Sequence, residues 1–240
     1  MLLLLLVFIW LVLKQKSMSK LKVYVTGGSR GIGAGIAQRF LTAGAEVVIS
    51  SRNAPTWEGA HWIQADLGLK NDAIQAAQQA LKILGNIDVL VNNGGLFLPG
   101  AITEENDRVF EAMMQVNVAS AYHTSRVVVP TMKLQNSGHV FNLCSIASET
   151  AYAAGGSYTI AKHALLGLGK VLREECKNFG VRVTNIMPGA VLTDSWAGVD
   201  LPESRFIPVE DIAETVWNCF QLSSRSVIEE LIIRPQLGDI

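Results

Sequence analysis

This chain has little of the material from which metal centres, disulfide scaffolds and nucleic-acid binders are built. Its 240 residues contain three cysteines, Cys144, Cys176 and Cys219, odd in number, far apart and without metal-ligand spacing, a usage that fits a reducing compartment. Four histidines, His61, His123, His139 and His163, share no ligand spacing either, so they read as structural and no metal is expected. Charge of one sign is also missing. Twenty Lys and Arg oppose 21 Asp and Glu, for a formal net charge of -1 without a basic tract, so nucleic acid is not expected as a partner. No repeat or low-complexity segment is present after Met18.

One long apolar run exists, Leu2 to Leu13, closed by Lys14 and Lys16. A membrane-spanning helix needs about 20 apolar residues, so the run is short. It also lacks the basic start and small-residue cleavage site of a secretory signal. Two readings of residues 1–17 stand: an extension upstream of a natural start at Met18, or a membrane or interfacial anchor. In the second case the two lysines favour keeping the remainder of the chain on the cytoplasmic side. The expected location is cytoplasmic, with membrane association only through that segment. Residues 18–240 read as one domain with a single sizeable core.

Past Met18, apolar strands alternate with helical patterns. Strands are expected at Lys22–Thr26, Glu46–Ser50, His61–Ala65, Ile87–Val91, His139–Cys144, Val181–Met187 and Glu230–Ile233. Helices are expected over Ala34–Ala43, Lys70–Leu84, Thr103 to about Lys133, a segment through Tyr158 to about Phe179, and Val209–Leu222. This alternation predicts an α/β fold, a single doubly wound, Rossmann-type parallel sheet of about seven strands with helices on both faces. Its site should lie at the strands' carboxyl ends. Met114, Val118, Tyr122, Val127 and Val128 spread over more than one face of the 103–133 segment, the pattern of a subunit interface and so of a homo-oligomer.

Two stretches carry chemistry. Between the first strand and first helix stands Thr26-Gly27-Gly28-Ser29-Arg30-Gly31-Ile32-Gly33, where backbone N–H groups and a helix N-terminus offer a place for a pyrophosphate. The general G-x-G-x-x-G spacing is not matched, since Ile36 stands three after Gly33, and a purely structural turn is the alternative. The second strand ends in Ser51-Arg52-Asn53 rather than at the carboxylate that binds an adenine-ribose hydroxyl. Arg52 and Arg30 suit a 2'-phosphate, so NADP(H) is favoured over NAD(H), against the alternative of two solvated arginines. The other stretch is Ser157-Tyr158-Thr159-Ile160-Ala161-Lys162. On a helix, Tyr158 and Lys162 share a face one turn apart, and a nearby ammonium favours phenolate, which makes the tyrosine a candidate acid or base.

Taken together the chain resembles the short-chain dehydrogenase/reductase family over essentially Lys20 to Ile240. Thr26, Gly27, Gly31 and Gly33 match its glycine turn, and Asn92-Asn93-Gly94-Gly95 its Asn-Asn-Ala-Gly segment, with Gly94 in place of alanine. Ser145 stands thirteen positions before Tyr158, Tyr158 and Lys162 match Tyr-x-x-x-Lys, Asn117 the site asparagine, and Pro188-Gly189 the segment after the sixth strand. The ending Val227–Ile240 resembles that of the NADP-dependent 3-hydroxy acid dehydrogenase and carbonyl reductase branch.

The resemblance implies a catalytic set of Asn117, Ser145, Tyr158 and Lys162. It implies cofactor contacts from Gly27, Ser29, Arg30, Gly31, Ile32, Gly33, Arg52, Asp66, Leu67, Asn93, Gly94, Tyr158, Lys162, Pro188, Gly189, Val191 and Thr193. Tyr158 would give the proton and Ser145 a second hydrogen bond to the carbonyl oxygen. Lys162 would bind nicotinamide ribose, and Asn117 would hold a relay water. A dimer or tetramer is implied as well. The expected pocket rim is Leu96, Phe97, Leu98, Ile146, Tyr152, Val191, Leu192, Trp196 and Phe206, mostly apolar, which favours a ketone with an apolar body. The expected reaction interconverts a ketone or aldehyde and an alcohol. A 3-oxoacyl-thioester reductase is the alternative enzyme, and a non-catalytic dinucleotide sensor or scaffold the alternative from another class.

Overall fold

The computed structural model describes residues 20–196 and 198–240; residues 1–17, expected as an extension or anchor, lie outside them. Seven strands form one parallel sheet: β1 (Lys22–Thr26), β2 (Glu46–Ser51), β3 (His61–Gln64), β4 (Val89–Asn92), β5 (Gly138–Leu143), β6 (Val181–Pro188) and β7 (Glu230–Ile233). The spatial order is β3-β2-β1-β4-β5-β6-β7. The chain winds outward from β1 to β3, then returns to lay β4 on the other side of β1. That reversal opens a crevice at the carboxyl ends of β1 and β4.

Alternation along each strand divides the core. In β1, Val23 and Val25 face one layer with Ile36, Ala37 and Phe40 of helix α1 (Gly31–Thr42). Ile212, Ala213 and Val216 of α6 (Val209–Gln221) complete that layer. Tyr24, between the two valines, faces the opposite layer with Ala76, Ala77, Ala80 and Leu84 of α2 (Lys70–Leu84). A period of two in each strand met by a period of 3.6 in each helix is sufficient to build such a sandwich. Phe40 anchors the first layer, edge-on to Trp217 at 5.4 Å and to Phe220 at 5.8 Å; its truncation to alanine should cost about 3–5 kcal/mol. Tyr24 keeps its buried hydroxyl satisfied by donating to Ser50 Oγ at 2.9 Å.

The segment expected as one or two long helices from Thr103 starts later. It comprises α3 (Val109–Met114), a π-turn (Gln115–Ala119) and α4 (Ser120–Gln135) in unbroken succession. The tyrosine helix, α5, runs Gly156–Cys176 and tightens into a 3₁₀ turn over Lys177–Phe179. The three cysteines are free and buried. Among the described residues no helix is long and apolar enough to cross a membrane, and no group of side chains could hold a metal ion.

Candidate active site

The crevice is braced by one hydroxyl and one amide. Thr26 Oγ1, at the end of β1, accepts from the N–H groups of Asn93 (3.0 Å) and Gly94 (3.1 Å) and donates to Val91 O (3.3 Å). Asn93 Nδ2 donates back to the carbonyls of Thr26 (3.1 Å) and Gly27 (3.0 Å). Gly33 must be glycine for this packing: a Cβ there would lie 2.4 Å from both Asn93 Nδ2 and Gly27 O. Helix α1 begins at Gly31 without a side-chain cap, so its first-turn N–H groups remain for an anion. The turn has a further brace in Trp57, whose Nε1 donates to Ser29 O at 3.1 Å.

Other candidate cofactor residues gather on the same crevice. A Cβ on Gly94 would meet Leu67 Cδ1 at 2.5 Å, so Leu67 fills the space of the missing alanine methyl. Asp66 is turned inward, its Oδ1 accepting from Gly68 N–H at 2.9 Å. Thr193 packs over Gly31, with Cγ2 3.3 Å from where a Cβ would stand. Gly189 N–H donates to Ile233 O at 2.7 Å, tying the end of β6 to β7. Arg52 is exposed at the end of β2. Arg30 is already engaged in a 2.7 Å ion pair with Asp194 of the segment after β6, both ends exposed.

Across the crevice the four expected chemical groups converge from three places: the π-turn, the turn after β5, and α5. Ser145, just past β5, is a capping residue: its Oγ accepts from Ala147 N–H at 3.1 Å, and its own N–H donates to Ser148 Oγ at 3.3 Å. Accepting there leaves its proton free to donate, and the hydroxyl stands near enough to the Tyr158 phenol to pull its pKa down. Lys162, one turn on, is buried with Nζ 5.6 Å from the Tyr158 ring centroid and donates to Leu143 O at 2.8 Å. Asn117 sits in the π-turn, a feature that re-aims a side chain. Its Nδ2 donates to Leu96 O (2.9 Å) and Met113 O (3.0 Å). A Cβ built on Gly95 would be 3.4 Å from Asn117 Oδ1 and 3.9 Å from Lys162 Nζ, so both groups lie beside that glycine.

The electrostatics correct one expectation. The Tyr158 phenol is raised here, not lowered as its nearness to Lys162 suggested. Burial raises the phenol above its ordinary value of 10.0, and only the Ser145 hydrogen bond pulls the other way. Burial acts on the lysine too, lowering its ammonium to about 8. Desolvation dominates because Lys162 is buried and Tyr158 is half-buried. Tyr158 is therefore protonated at neutral pH, the form that donates. The pocket rim needs a second correction. Phe97, Leu98, Tyr152 and Leu192 are exposed, but Val191 and Phe206 are buried and belong to the core.

Side chains outside the expected set also hold the site. Asn92, Asn142 and Asn185 stand in register on β4, β5 and β6. Asn92 Nδ2 donates to Asn142 Oδ1, and Asn142 Nδ2 to Asn185 Oδ1, each at 2.9 Å. This buried amide row lies close to the site on each of its strands. Its signal was available, a polar residue interrupting three apolar strands at matching places. Asp194 and Glu105 carried no such signal, because their partners, Arg30 and Ser157, are 164 and 52 residues away.

Comparison with known proteins agrees with this architecture. The family model described as short chain dehydrogenase matches residues 21–203. A sepiapterin reductase of Chlorobaculum tepidum is 32% identical, covering 90% of this chain and 96% of its own length. A metagenomic short-chain oxidoreductase in complex with NADP superposes with a TM-score of 0.76 at 29% identity, over 90% of this chain and 98% of that one. An alcohol dehydrogenase from Thermococcus sibiricus complexed with 5-hydroxy-NADP gives 0.82 at 23% identity, over 92% and 99%, a likeness of fold. With the glycine turn at the switch point and the Ser145, Tyr158 and Lys162 cluster facing it, this chain belongs to the short-chain dehydrogenase/reductase family of oxidoreductases.

Proposed function

We propose that the chain is an NADP(H)-dependent carbonyl reductase, interconverting a ketone or aldehyde with its alcohol. The observation that carries this reading is the buried Lys162 ammonium 5.6 Å from the Tyr158 ring, with the uncommitted proton of the Ser145 hydroxyl on the same side of the cleft. The nicotinamide cofactor, when bound, supplies the hydride. This chain's residues do the rest. The free proton of Ser145 orients the carbonyl oxygen, and Tyr158 gives its proton to that oxygen as negative charge builds there. Lys162 holds positive charge beside both. Asn117 Oδ1 and Lys162 Nζ, both beside Gly95, suit a bridging water that returns protons from solvent.

The residues present suit the cofactor. Uncapped N–H groups at α1 and the packed glycine turn suit the pyrophosphate, and Arg52 at the end of β2, with no carboxylate beside it, suits a 2'-phosphate. The metagenomic relative bound to NADP supports that preference. Exposed Phe97, Leu98 and Tyr152 at the mouth favour a substrate with an apolar body, and the name of the Chlorobaculum tepidum relative supports the reductive direction. Exposed Phe110 and Tyr122 on α3 and α4, with Val171 on α5, favour a dimer or tetramer through these helices. Free, buried cysteines suit a reducing, cytoplasmic setting.

The test is NADPH oxidation with a panel of aliphatic, aryl and 1,2-diketones, run beside NADPH binding by fluorescence. Turnover by the parent chain and none by Tyr158→Phe, with binding retained in both, is the expected result. Binding without turnover of any ketone would leave a dinucleotide sensor; preference for an acetoacetyl thioester would make it an oxoacyl-thioester reductase.

A further inference from the structure

Glu105 lies in the segment between β4 and α3, far in sequence from the tyrosine helix, yet its carboxylate closes the start of that helix. Oε1 accepts from the backbone N–H of Ser157 at 2.8 Å, and Oε2 accepts from the Ser157 hydroxyl. Ser157 is buried and directly precedes Tyr158. Helix α5 supplies no cap of its own: it begins after Gly155, lacks a side-chain cap and has no acidic residue in its first turn. An uncapped first turn frays, and an acidic group at a helix start is favoured by the N–H groups and the dipole.

The surroundings are shaped for this contact. A Cβ on Gly156 would stand 2.0 Å from Glu105 Oε1 and 2.4 Å from Gly100 O, so only glycine admits the carboxylate. Ala154 and Gly156 both take positive φ, 58° and 35°. For alanine that is an uncommon conformation, which persists where neighbours hold it. Gly100 N–H does so by donating to Ala154 O at 3.0 Å. The segment that carries Glu105 and Gly100 also carries Phe97, whose ring meets Tyr158 edge-on at 4.9 Å. One wall of the mouth and the helix with the proton donor are thus stitched together at two points.

We infer that Glu105 is a positioning residue for the reaction: it fixes the first turn of α5 and thereby the Tyr158 hydroxyl against Ser145 and the wall bearing Phe97. The inference rests on Tyr158 being the proton donor, and the experiment separates the two. Variants Glu105→Ala, Glu105→Asp, Glu105→Gln, Ser157→Ala and the Glu105→Ala/Ser157→Ala pair are compared with Tyr158→Phe, using NADPH and the fastest ketone of the panel. Rates are taken per NADPH-binding site, and amide exchange of the peptide spanning 153–160 is followed without substrate.

A displacement of the reacting group costs about tenfold to a hundredfold, and Glu105→Ala should lower kcat by that amount with NADPH affinity within about twofold. Exchange at the helix start should speed up in the same variant. Glu105→Asp, too short to reach both groups, should lose kcat as well and serves where the alanine variant fails to fold. Glu105→Gln, which still accepts from the Ser157 N–H, should restore most of the rate. The paired variant should be no slower than Glu105→Ala, since losing the carboxylate already breaks the hydroxyl contact that Ser157→Ala removes.

The inference is overturned if Glu105→Ala and Glu105→Asp keep kcat within about twofold of the parent while Tyr158→Phe is dead. It is equally overturned if the Glu105 and Ser157 losses multiply. Full activity of Tyr158→Phe would instead remove the reading on which it rests.

Discussion

On the glycine-turn side of the cleft, placement is done by backbone: Thr26, Gly27, Asn93 and Gly94 lock one another through main-chain groups, and the charged side chains there, Arg30 and Arg52, stand in solvent. On the far side, placement is done by buried side chains, Asn117, Ser145 and Lys162, each with a polar partner inside the protein. The difference matches what each side does in the proposed reaction. A pyrophosphate brings its own charge and needs only donors, whereas a developing alkoxide needs one proton and one cation in a dry place. Side-chain changes should therefore be costly on the far side and mild on the near side, except where a glycine is required by space.

The largest effect should come from Tyr158→Phe. Loss of a positioned acid costs about a hundredfold to ten-thousandfold, so kcat should fall by that amount while NADPH fluorescence titrations stay near those of the parent. Weakened cofactor binding of the same size as the rate loss would erase the proposed division between the two sides.

Gly33→Ala should be a severe change on the near side, because its Cβ would stand 2.4 Å from Asn93 Nδ2 and from Gly27 O. NADPH affinity should drop by about a hundredfold, or ~2.7 kcal/mol, by the same titration. An alanine there with unchanged affinity would show that the turn is looser than its packing.

The pH profile sharpens the contrast further. In the proposed ketone reduction Tyr158 is protonated and Lys162 charged; the phenol is raised by burial and the ammonium lowered to about 8. As pH rises through about 8 the ammonium is lost first, so the single-turnover rate should fall by about tenfold per unit above that point and stay level below it. A profile level to about pH 10, the ordinary range of a phenol, would separate the lysine from the chemistry.

Arg52→Asp should have the smallest effect. The residue is exposed, where charge interactions are worth about 1 kcal/mol or less and are screened by salt. The ratio of NADPH to NADH affinity should shift by about fivefold to tenfold toward NADH at low salt, less at high salt. No shift at either ionic strength would assign the 2'-phosphate elsewhere.

The strands and helices were readable because each buries one face, and the alternation that buries a face is written in consecutive residues. Helix α2 and strands β1 and β7 have the expected bounds, while α3 begins at Val109 rather than near Thr103, and Glu105 of the intervening segment reaches across to α5. Val191 and Phe206 were expected at the pocket rim, since an apolar residue in a loop looks the same whether it lines a mouth or fills a core. Tyr158 and Lys162 were legible as a pair one helical turn apart, but the pull on the phenol was read from the cation alone. Burial, which sequence does not display, sets its direction.

By itself the sequence determined the order of the elements, the glycine turn before α1, and the four residue types that the chemistry requires, because these depend on local periodicity and on residue identity. Only the tertiary structure decided that Ser145 both caps a turn and reaches the phenol, that Arg30 is paired with Asp194, and that a glutamate 52 residues away secures the start of the tyrosine helix. Those are relations between segments distant along the chain, and their strength depends on how much water the fold leaves around them.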